Sequence, residues 1–239
     1  MKQEDFQTSV EVQLRLLEKG ASLLGISLSP AHLMQFSDYL SMLLSWNNRI
    51  NLFSRHDTRR LSERHLLDSI AWIPKLERSF QSPIMDLGSG AGFPGIPIAI
   101  YHPEIKVVLV ESIKKKAFFL NQVVEQLKLN IEVFPERAEG LGKKAMQQNR
   151  YSCIIARAVA SLDLLLQWSK PILRPNGNLI AFKGDTLSVE LQRLQKKQSK
   201  DLKFDVNIID YDLYRNLATN PEKTSKKLVN VQLIGKGES

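Results

Sequence analysis

The chain has 239 residues, of which 43% are hydrophobic and 24% charged, values that are ordinary for a folded protein in water. No apolar run approaches the roughly 20 residues that a membrane-spanning helix needs, and the polar, acidic first residues do not resemble a secretory signal. A single cysteine excludes an internal disulfide. We therefore expect a cytoplasmic protein with no membrane contact, and its formal charge of +8 favours a polyanionic partner such as nucleic acid.

The first third of the chain predicts helices and no strands. Residues 8–24 place apolar side chains about every 3.6 positions, which is typical of an amphipathic helix. Ser29 and Pro30 open a second helix that extends to about Trp46, because serine caps a helix and proline suits its first turn. A third helical stretch is expected over about residues 58–78. We therefore predict an N-terminal helical extension over residues 1–80 and a second domain over residues 81–239.

From residue 83 onwards the pattern alternates between short apolar strands and helices. The expected strands cover residues 84–87, 106–110, 131–134, 152–157 and 178–183, and the expected helices 95–101, 113–128, about 140–148 and 161–173. This alternation predicts an α/β fold with a parallel sheet. A helix at about 186–197 precedes two late strands, 203–210 and 227–235, which would form an antiparallel hairpin at one edge of a seven-stranded sheet. The polar residues 217–226 between them are expected to form a mobile loop.

The run IMDLGSGAGFPGIPIAI, residues 84–100, reads as a strand, a glycine-rich turn and a helix. Asp86 lies at the end of the strand, and Gly88 and Gly90 allow the backbone to adopt positive φ and to approach a ligand closely. The helix that follows offers unpaired N–H groups to that ligand. This turn therefore predicts a nucleotide-like cofactor at the carboxyl edge of the sheet.

Two cofactors fit the glycine spacing. Residues 90–95 match the GxGxxG fingerprint of dinucleotide binding. Counted from Asp86, the pattern Asp-x-Gly-x-Gly-x-Gly looks like the first motif of class I S-adenosylmethionine (SAM) methyltransferases. Phe93 and Pro94 disturb the dinucleotide interpretation, and Asp86 suits a cofactor that carries positive charge. An NAD-dependent dehydrogenase would also need a substrate domain, for which little chain remains.

Further cofactor contacts are expected where the second and third strands end. Glu111 ends the second strand, where an acid accepts hydrogen bonds from ribose hydroxyls. Ser112 and Ile113 follow it and would border the adenosine, and Ala138 and Glu139 would lie beside the adenine. The alternatives are that Glu111 complements a helix dipole and that Glu139 is an ordinary surface residue.

Polar residues at the same edge of the sheet are candidates for catalysis or substrate binding. Arg157 and Lys183 end the fourth and fifth strands, and His65 shares one face of a helix with Asp68. We take Arg157, Lys183 and His65 as catalytic candidates, the alternatives being an internal salt bridge, a solvated lysine and a structural His–Asp contact. The expected contacts to an RNA substrate are Arg64, His65, Lys114, Lys115, Lys116 and Lys183. The remaining histidines lack the spacing of metal ligands, so no metal is expected.

Missing motifs narrow the choice of methyl acceptor. The Asp/Asn-Pro-Pro-aromatic stretch of base-amine methyltransferases is replaced here by residues 157–160, Arg-Ala-Val-Ala. Methylation of cytosine carbon 5 needs a thiolate, but Cys153 lies inside an apolar strand. Ribose 2′-O methylation commonly uses a Lys-Asp-Lys-Glu set, and no aspartate ends the fourth strand. Guanine N7 has no proton to lose, so a site that aligns and desolvates it without a general base is consistent with this acceptor.

Six segments together resemble a known family, the bacterial 16S ribosomal RNA guanine-N7 methyltransferases, also called glucose-inhibited division protein B. They are WNNRINLFS (46–54), RHLLDS (64–69), DLGSGAGFPGIPIAI (86–100), ES..KK (111–116), ARAVASL (156–162) and AFKG (181–184). One departure is Phe53-Ser54, where the family more often has threonine after Asn-Leu. The resemblance implies a class I, Rossmann-like methyltransferase fold, SAM as methyl donor and a guanine in the 530 loop of 16S rRNA as acceptor.

Matching the motifs residue by residue, the resemblance implies cofactor contacts at Gly88, Phe93, Ala138, Glu139 and Arg157. The substrate would be 16S rRNA or the small ribosomal subunit, and we expect the protein to act as a monomer. A non-catalytic RNA-binding module on the same fold is the remaining alternative. The intact glycines, Asp86 and Glu111 argue against that alternative.

Overall fold

The computed structural model describes residues 3–76, 81–183, 187–199 and 202–234. The amino-terminal part is helical, as expected. Its elements are α1 (Gln3–Leu23), α2 (Pro30–Asn47), a 3-10 helix (Arg55–Arg60), a π-helical turn (Ser62–Leu66), α3 (Leu67–Ile70) and α4 (Ile73–Leu76). Ser29 caps α2, since its hydroxyl accepts a hydrogen bond from the His32 N–H at 3.2 Å.

The helical stretch expected over residues 58–78 is confirmed up to Leu76, but it is divided into several short helical segments. Pro74 has no N–H to bond the carbonyl of Ile70, so a continuous helix cannot pass through it. Residues 77–80, where the expected domain boundary falls, lie outside the described residues.

Seven strands form one mostly parallel sheet, which confirms the predicted fold class. The strands are β1 (Ile84–Leu87), β2 (Val107–Val110), β3 (Ile131–Phe134), β4 (Tyr151–Arg157), β5 (Leu173–Phe182), β6 (Phe204–Arg215) and β7 (Glu222–Leu233). Their order is β3-β2-β1-β4-β5-β7-β6, with β7 antiparallel to both of its neighbours. The order reverses between β1 and β4, and ligands of such sheets bind outside the carboxyl ends of the strands at that point.

Helices cover both faces of this sheet, and the sheet separates the core into two layers. They are α5 (Gly95–Tyr101), α6 (Lys114–Leu127), α7 (Ala138–Leu141), α8 (Leu162–Ser169) and α9 (Leu187–Gln195). Along β2, Leu109 packs into the layer that also holds α1 and α2, whereas Val108 and Val110 pack into the layer that holds α8. The amino-terminal helices therefore share a core with one face of the sheet.

The helix expected over 140–148 was also wrong: α7 ends at Leu141, and a separate 3-10 turn covers Ala145–Gln147. Gly142 follows the last residue of α7 and accounts for the break, because glycine is a poor helix former. The expected starts and ends at residues 186 and 235 fall outside the described residues.

The two last strands are longer than the sequence predicts. β6 and β7 pair without interruption from Phe204 opposite Leu233 to Arg215 opposite Glu222. The loop expected over residues 217–226 was therefore wrong, because only residues 216–221 connect the strands. The outer half of this hairpin reaches the amino-terminal helices and buries Leu213 and Leu217. Within the described residues, no helix is long and apolar enough to cross a membrane.

Candidate functional site

The glycine-rich turn leaves the sheet between β1 and α5. The N–H groups of Gly88 and Ser89 both donate to the carbonyl of Val110, at 2.8 and 3.0 Å, and so fix the turn to β2. Gly88 has φ +72° and Gly90 has φ +59°, conformations that residues with a side chain rarely adopt. A Cβ on Gly90 would meet nothing closer than 3.9 Å, so its backbone is open to an approaching ligand.

Asp86 lies beneath this turn and is buried. Its Oδ2 accepts a hydrogen bond from the Gly95 N–H at 3.0 Å, which fixes the start of α5. Burial raises the pKa of this carboxyl to about 7, against the lowering effect of the Gly95 hydrogen bond. Asp86 does not line the cavity described below, and its contact with a cofactor stays a prediction. Its hydrogen bond to Gly95 positions the turn.

Glu111 connects β2 to the glycine turn. Its Oε2 accepts a hydrogen bond from the Gly90 N–H at 2.9 Å, and its Oε1 accepts one from the Ile113 N–H at 2.7 Å. Each oxygen keeps a free lone pair, as an acceptor for two ribose hydroxyls requires. Beside it, Ser112 is exposed and Ile113 is 52% exposed, so a ligand could cover both. Glu111, Ser112 and Ile113 do not line the large cavity described below, so their contact with a cofactor stays a prediction.

The predicted adenine contacts lie one strand further out. The Glu111 N–H donates to the carbonyl of Phe134 at 3.1 Å, which brings the end of β3 next to Glu111. Ala138 and Glu139 then begin α7, with Ala138 partly buried and Glu139 exposed. Neither residue lines the large cavity, so their contact with a cofactor stays a prediction.

A cavity of about 870 Å³ opens at the carboxyl ends of β1, β4 and β5. It brings together the predicted site residues Gly88, Gly90, Phe93, His65, Arg157 and Lys183. Its far wall was not predicted from the sequence: it comes from the hairpin of β6 and β7. The hairpin residues at this wall are Tyr211, Arg215, Ser225, Lys226 and Lys227.

Arg157 is at the centre of the polar contacts in this cavity. Its guanidinium lies over the ring of Phe93, 5.4 Å from the ring centroid. Its Nη2 donates to His65 Nδ1 at 3.2 Å, and its Nη1 lies 3.5 Å from Asp68 Oδ2. The ion pair considered as the alternative role of Arg157 is therefore present, but Arg157 also lines the cavity.

His65 stacks on Phe93, with ring centroids 4.9 Å apart and planes inclined by 18°. Burial and the nearby Arg157 charge lower its pKa to about 4, so the ring is neutral at pH 7. Because Nδ1 accepts from Arg157, the proton belongs on Nε2, which lies 3.4 Å from Asp57 Oδ2. A neutral ring held in this way is not a cation for binding phosphate.

Asp68, in α3, contacts both Arg157 and the hairpin of β6 and β7. Its Oδ1 accepts hydrogen bonds from Tyr211 Oη and Lys226 Nζ, both at 2.8 Å, while its Oδ2 faces Arg157. His65 and Asp68 share a helix face, as predicted, but both contact Arg157. Asp68 therefore fixes the hairpin and Arg157 relative to each other.

The predicted RNA-contacting side chains differ in their surroundings. Lys183 Nζ donates to the Ala160 carbonyl and pairs with Glu190 Oε2 at 2.8 Å, so Lys183 is not a solvated lysine. Arg64 pairs with Asp57 at 2.6 Å. At the start of α6, Lys114 and Lys115 are exposed and Lys116 is partly buried. Contact of these residues with RNA stays a prediction.

Metal-ion catalysis and nucleophilic attack by a cysteine thiolate each need specific side chains. The described residues contain no group of three or more His, Cys, Asp or Glu side chains that could hold a metal ion. Cys153 is buried, and burial raises the pKa of its thiol, which disfavours the nucleophilic thiolate.

The strand order, the glycine turn and an acid at the end of β2 define the fold of the class I SAM-dependent methyltransferases. Two solved structures share it. An O-methyltransferase from Bacillus cereus in complex with SAH has a TM-score of 0.54 and 14% identity, covering 82% of this chain and 90% of the other. The O-methyltransferase TomG from Streptomyces achromogenes, in complex with SAM, has a TM-score of 0.54 and 11% identity, covering 83% and 90%.

Sequence comparisons identify the family within this class. The GidB family model, rRNA small subunit methyltransferase G, matches residues 32–217. The ribosomal RNA small subunit methyltransferase G of Chloroflexus aggregans is 39% identical over 183 residues, 76% of each chain. That of Caldanaerobacter subterraneus is 40% identical over 172 residues, 72% of each chain. The chain belongs to the rRNA small subunit methyltransferase G family, and its methyl donor is SAM.

Proposed function

We propose that this chain transfers the methyl group of SAM to N7 of a guanine in the 530 loop of 16S ribosomal RNA. Membership of the rRNA small subunit methyltransferase G family supports small-subunit rRNA as the substrate. The observation that carries the proposal is the cavity of about 870 Å³, which joins the glycine turn to Arg157 and a cationic hairpin. A donor and an RNA base can meet there at the switch point of the sheet.

The residues around the glycine turn fit SAM. The open backbone at Gly90 allows close approach, and the two Glu111 oxygens, held by backbone N–H groups, suit the ribose hydroxyls. Arg157 supplies a cation at the cavity for the SAM carboxylate. When bound, SAM supplies a methyl group on a positively charged sulfur. The further contacts that we propose are Gly88, Phe93, Ser112, Ile113, Ala138 and Glu139.

The groups that line the cavity favour an acceptor that needs no base. His65 is a weak base with a pKa of about 4, and its Nδ1 accepts from Arg157. The carboxylates of Asp57 and Asp68 are held in ion pairs. Guanine N7 presents a lone pair in the ring plane and carries no proton, so the N7–methyl bond forms as the sulfur–methyl bond breaks. The protein then has to orient the base and exclude water.

The base must leave its stack to reach such a cavity, so a loop or an unpaired guanine is required. The exposed Lys114 and Lys115 are proposed RNA contacts beside the cofactor site. We further propose, as expected from the sequence, that the protein acts in the cytoplasm as a monomer.

The test uses purified protein, labelled SAM and small ribosomal subunits that lack the modification. After digestion of the RNA, the labelled nucleoside is identified and its position mapped. Labelled N7-methylguanosine from the 530 loop is the expected result. Another labelled nucleoside would overturn the choice of acceptor, and SAM binding without transfer to subunits or naked rRNA would overturn the choice of substrate. RNA binding without SAM binding would favour the non-catalytic alternative.

A further inference from the structure

A second cavity, of about 320 Å³, adjoins the large one. Asp57, His65, Arg215 and Lys226 line both cavities, so they form the boundary between them. The glycine turn does not contribute to the second cavity. The second cavity is therefore reached from the large one on the side away from the turn.

Positive charge predominates in this second cavity. Its lining holds four cationic side chains, Arg60, Arg64, Arg215 and Lys226, against the two carboxylates of Asp57 and Glu63. His65 adds no charge, because its pKa is lowered to about 4. Lys226 is paired with Asp68, which lines only the large cavity, so Arg215 supplies the positive charge that remains unpaired in this lining. That charge suits an anion, and a partly enclosed site strengthens the attraction relative to open water.

The guanidinium of Arg215 makes no hydrogen bond or ion pair with any residue that the structure describes, although Glu222 lies opposite Arg215 in the hairpin ladder. Leu213 and Arg215 are two positions apart and point to the same side of β6, and both line the second cavity. Leu213 is buried, whereas Arg215 is exposed, so its guanidinium is open to a ligand from solvent.

Two neighbouring arginines have N–H groups to spare. Arg60 contacts Glu63 through Nε, and Arg64 contacts Asp57 through Nη1, which leaves other guanidinium N–H groups of each side chain available. Guanidinium groups match the oxygen geometry of phosphate and can bind it through two parallel hydrogen bonds.

We infer that the second cavity binds a backbone phosphate of the substrate RNA, with Arg215 as its principal ligand and Arg60 and Arg64 beside it. This inference rests on the proposed function, since a guanine in the large cavity has its own phosphodiester linkage close by. Phosphate and carboxylate share the chemistry that Arg215 recognises, so the SAM carboxylate is the competing source. Arg157 already faces the large cavity for that carboxylate, and the glycine turn is absent from the second one.

The experiment measures binding of unmodified small ribosomal subunits over a range of KCl concentrations, for the wild type and three variants. In Arg215→Ala we expect affinity to fall roughly ten- to hundred-fold, as for loss of a hydrogen bond to a charged group. We also expect the salt slope, the decrease of log affinity with log salt, to fall by about one. Arg215→Lys should keep the wild-type slope. Arg193→Ala, an exposed arginine on α9 that lines neither cavity, is the matched control and should bind like the wild type.

Binding of SAM and thermal unfolding are measured on the same samples. Unchanged values in Arg215→Ala show that the variant is folded and that the SAM carboxylate is not the ligand. An unchanged subunit affinity and salt slope in Arg215→Ala would overturn the inference, as would a loss confined to SAM binding. The wild-type nucleoside product is scored separately. N7-methylguanosine with an unaltered slope refutes only the phosphate site, whereas another nucleoside with a reduced slope refutes only the acceptor.

Discussion

Glu111 Oε2 accepts a hydrogen bond from the Gly90 N–H at 2.9 Å, so the acid at the end of β2 holds the cofactor turn directly. The second oxygen is fixed in the same way by the Ile113 N–H at 2.7 Å. The carboxylate is thus oriented before any ligand arrives, and a ribose that bonds to it needs little further ordering. Such preorganisation lowers the cost of binding.

Glu111→Gln should weaken SAM binding by roughly ten- to hundred-fold. Glutamine has one acceptor oxygen, so its NH₂ group would face either Gly90 N–H or Ile113 N–H, donor against donor. Equilibrium dialysis with labelled SAM measures the change. Glu125→Gln, on the exposed side of α6, removes the same charge and should bind SAM normally. Normal binding by Glu111→Gln would refute the assignment of the ribose site.

Gly90→Ala should abolish SAM binding at a modest cost in stability. The left-handed φ of +59° costs alanine about 1 kcal/mol, and the added Cβ meets no protein atom closer than 3.9 Å. The Cβ would instead occupy the space open to the ligand. Gly25→Ala is the matched control, because Gly25 has φ +74° with nothing within 4 Å and lies far along the chain from the turn.

Calorimetric SAM titration and urea unfolding separate the two effects. Gly90→Ala and Gly25→Ala should lose similar unfolding free energy, and only Gly90→Ala should lose SAM. Gly88 is a poorer probe, because its Cβ would lie 2.7 Å from Val159 Cγ2 and force a rearrangement. If Gly90→Ala binds SAM like the wild type, the turn does not contact the cofactor.

Asp68→Asn should lower the unfolding free energy by about 2 kcal/mol. The Asp68 side chain is only 5% exposed and faces Arg157 and Lys226, which would keep their charges without a counterion. The figure is below that for a fully buried pair because the Lys226 side chain is 33% exposed. Asp212→Asn breaks an exposed pair with Lys223 and should leave the unfolding free energy almost unchanged. Equal losses in urea unfolding would contradict the role given to Asp68.

The lowered pKa of His65 predicts that the free energy of unfolding falls as the pH drops from 6.5 towards 4. Its folded pKa of about 4 lies below the unfolded value of 6.5, so in this window the unfolded chain binds the proton and the folded chain does not. Protonation therefore favours unfolding, by up to about 3 kcal/mol at the acid end. Above pH 6.5 the ring is neutral in both states and contributes no pH dependence.

The measurement is the unfolding free energy at several pH values for the wild type and His65→Gln. Asp86 has the opposite effect, because its folded pKa of about 7 lies above the ordinary 3.8 and favours the folded state as the pH falls. The difference between wild type and His65→Gln isolates the histidine. The stability of the wild type relative to His65→Gln should increase as the pH rises from 4 to 6.5 and then level off. A difference that is flat with pH would contradict the buried, neutral ring.

The sequence predicted the parallel strands and the glycine turn because their signals are local. β1 and β2 are short apolar runs buried on both faces, and Gly88 and Gly90 supply the positive φ that the turn requires. The sequence predicted Arg157 as a cofactor contact and His65 as a candidate for catalysis or RNA contact, and the structure brings both into one cavity. Their mutual contact at 3.2 Å was not predictable, because it joins positions 92 residues apart.

The outer half of the hairpin was missed because its pattern lacks an apolar alternation. In β7, the segment from Glu222 to Lys227 is polar on both faces, and it pairs with β6 beyond the edge of the main sheet. Its partners are distant in sequence: Tyr211 and Lys226 bind Asp68 across 143 and 158 residues. Only tertiary structure shows that these residues complete the cavity.

The contact of the hairpin with the first helices has a consequence for biosynthesis. Lys19 Nζ donates to the Leu217 carbonyl at 2.8 Å, across 198 residues, and the Leu217 N–H donates to Glu63 Oε1 at 2.7 Å. A ribosome must therefore synthesise almost the whole chain before α1 can acquire these partners. Contacts of such separation slow folding and leave apolar surface open to aggregation meanwhile. A nascent chain that ends before β7 still lacks Ser225, Lys226 and Lys227, so the cavity is complete only when synthesis is nearly finished.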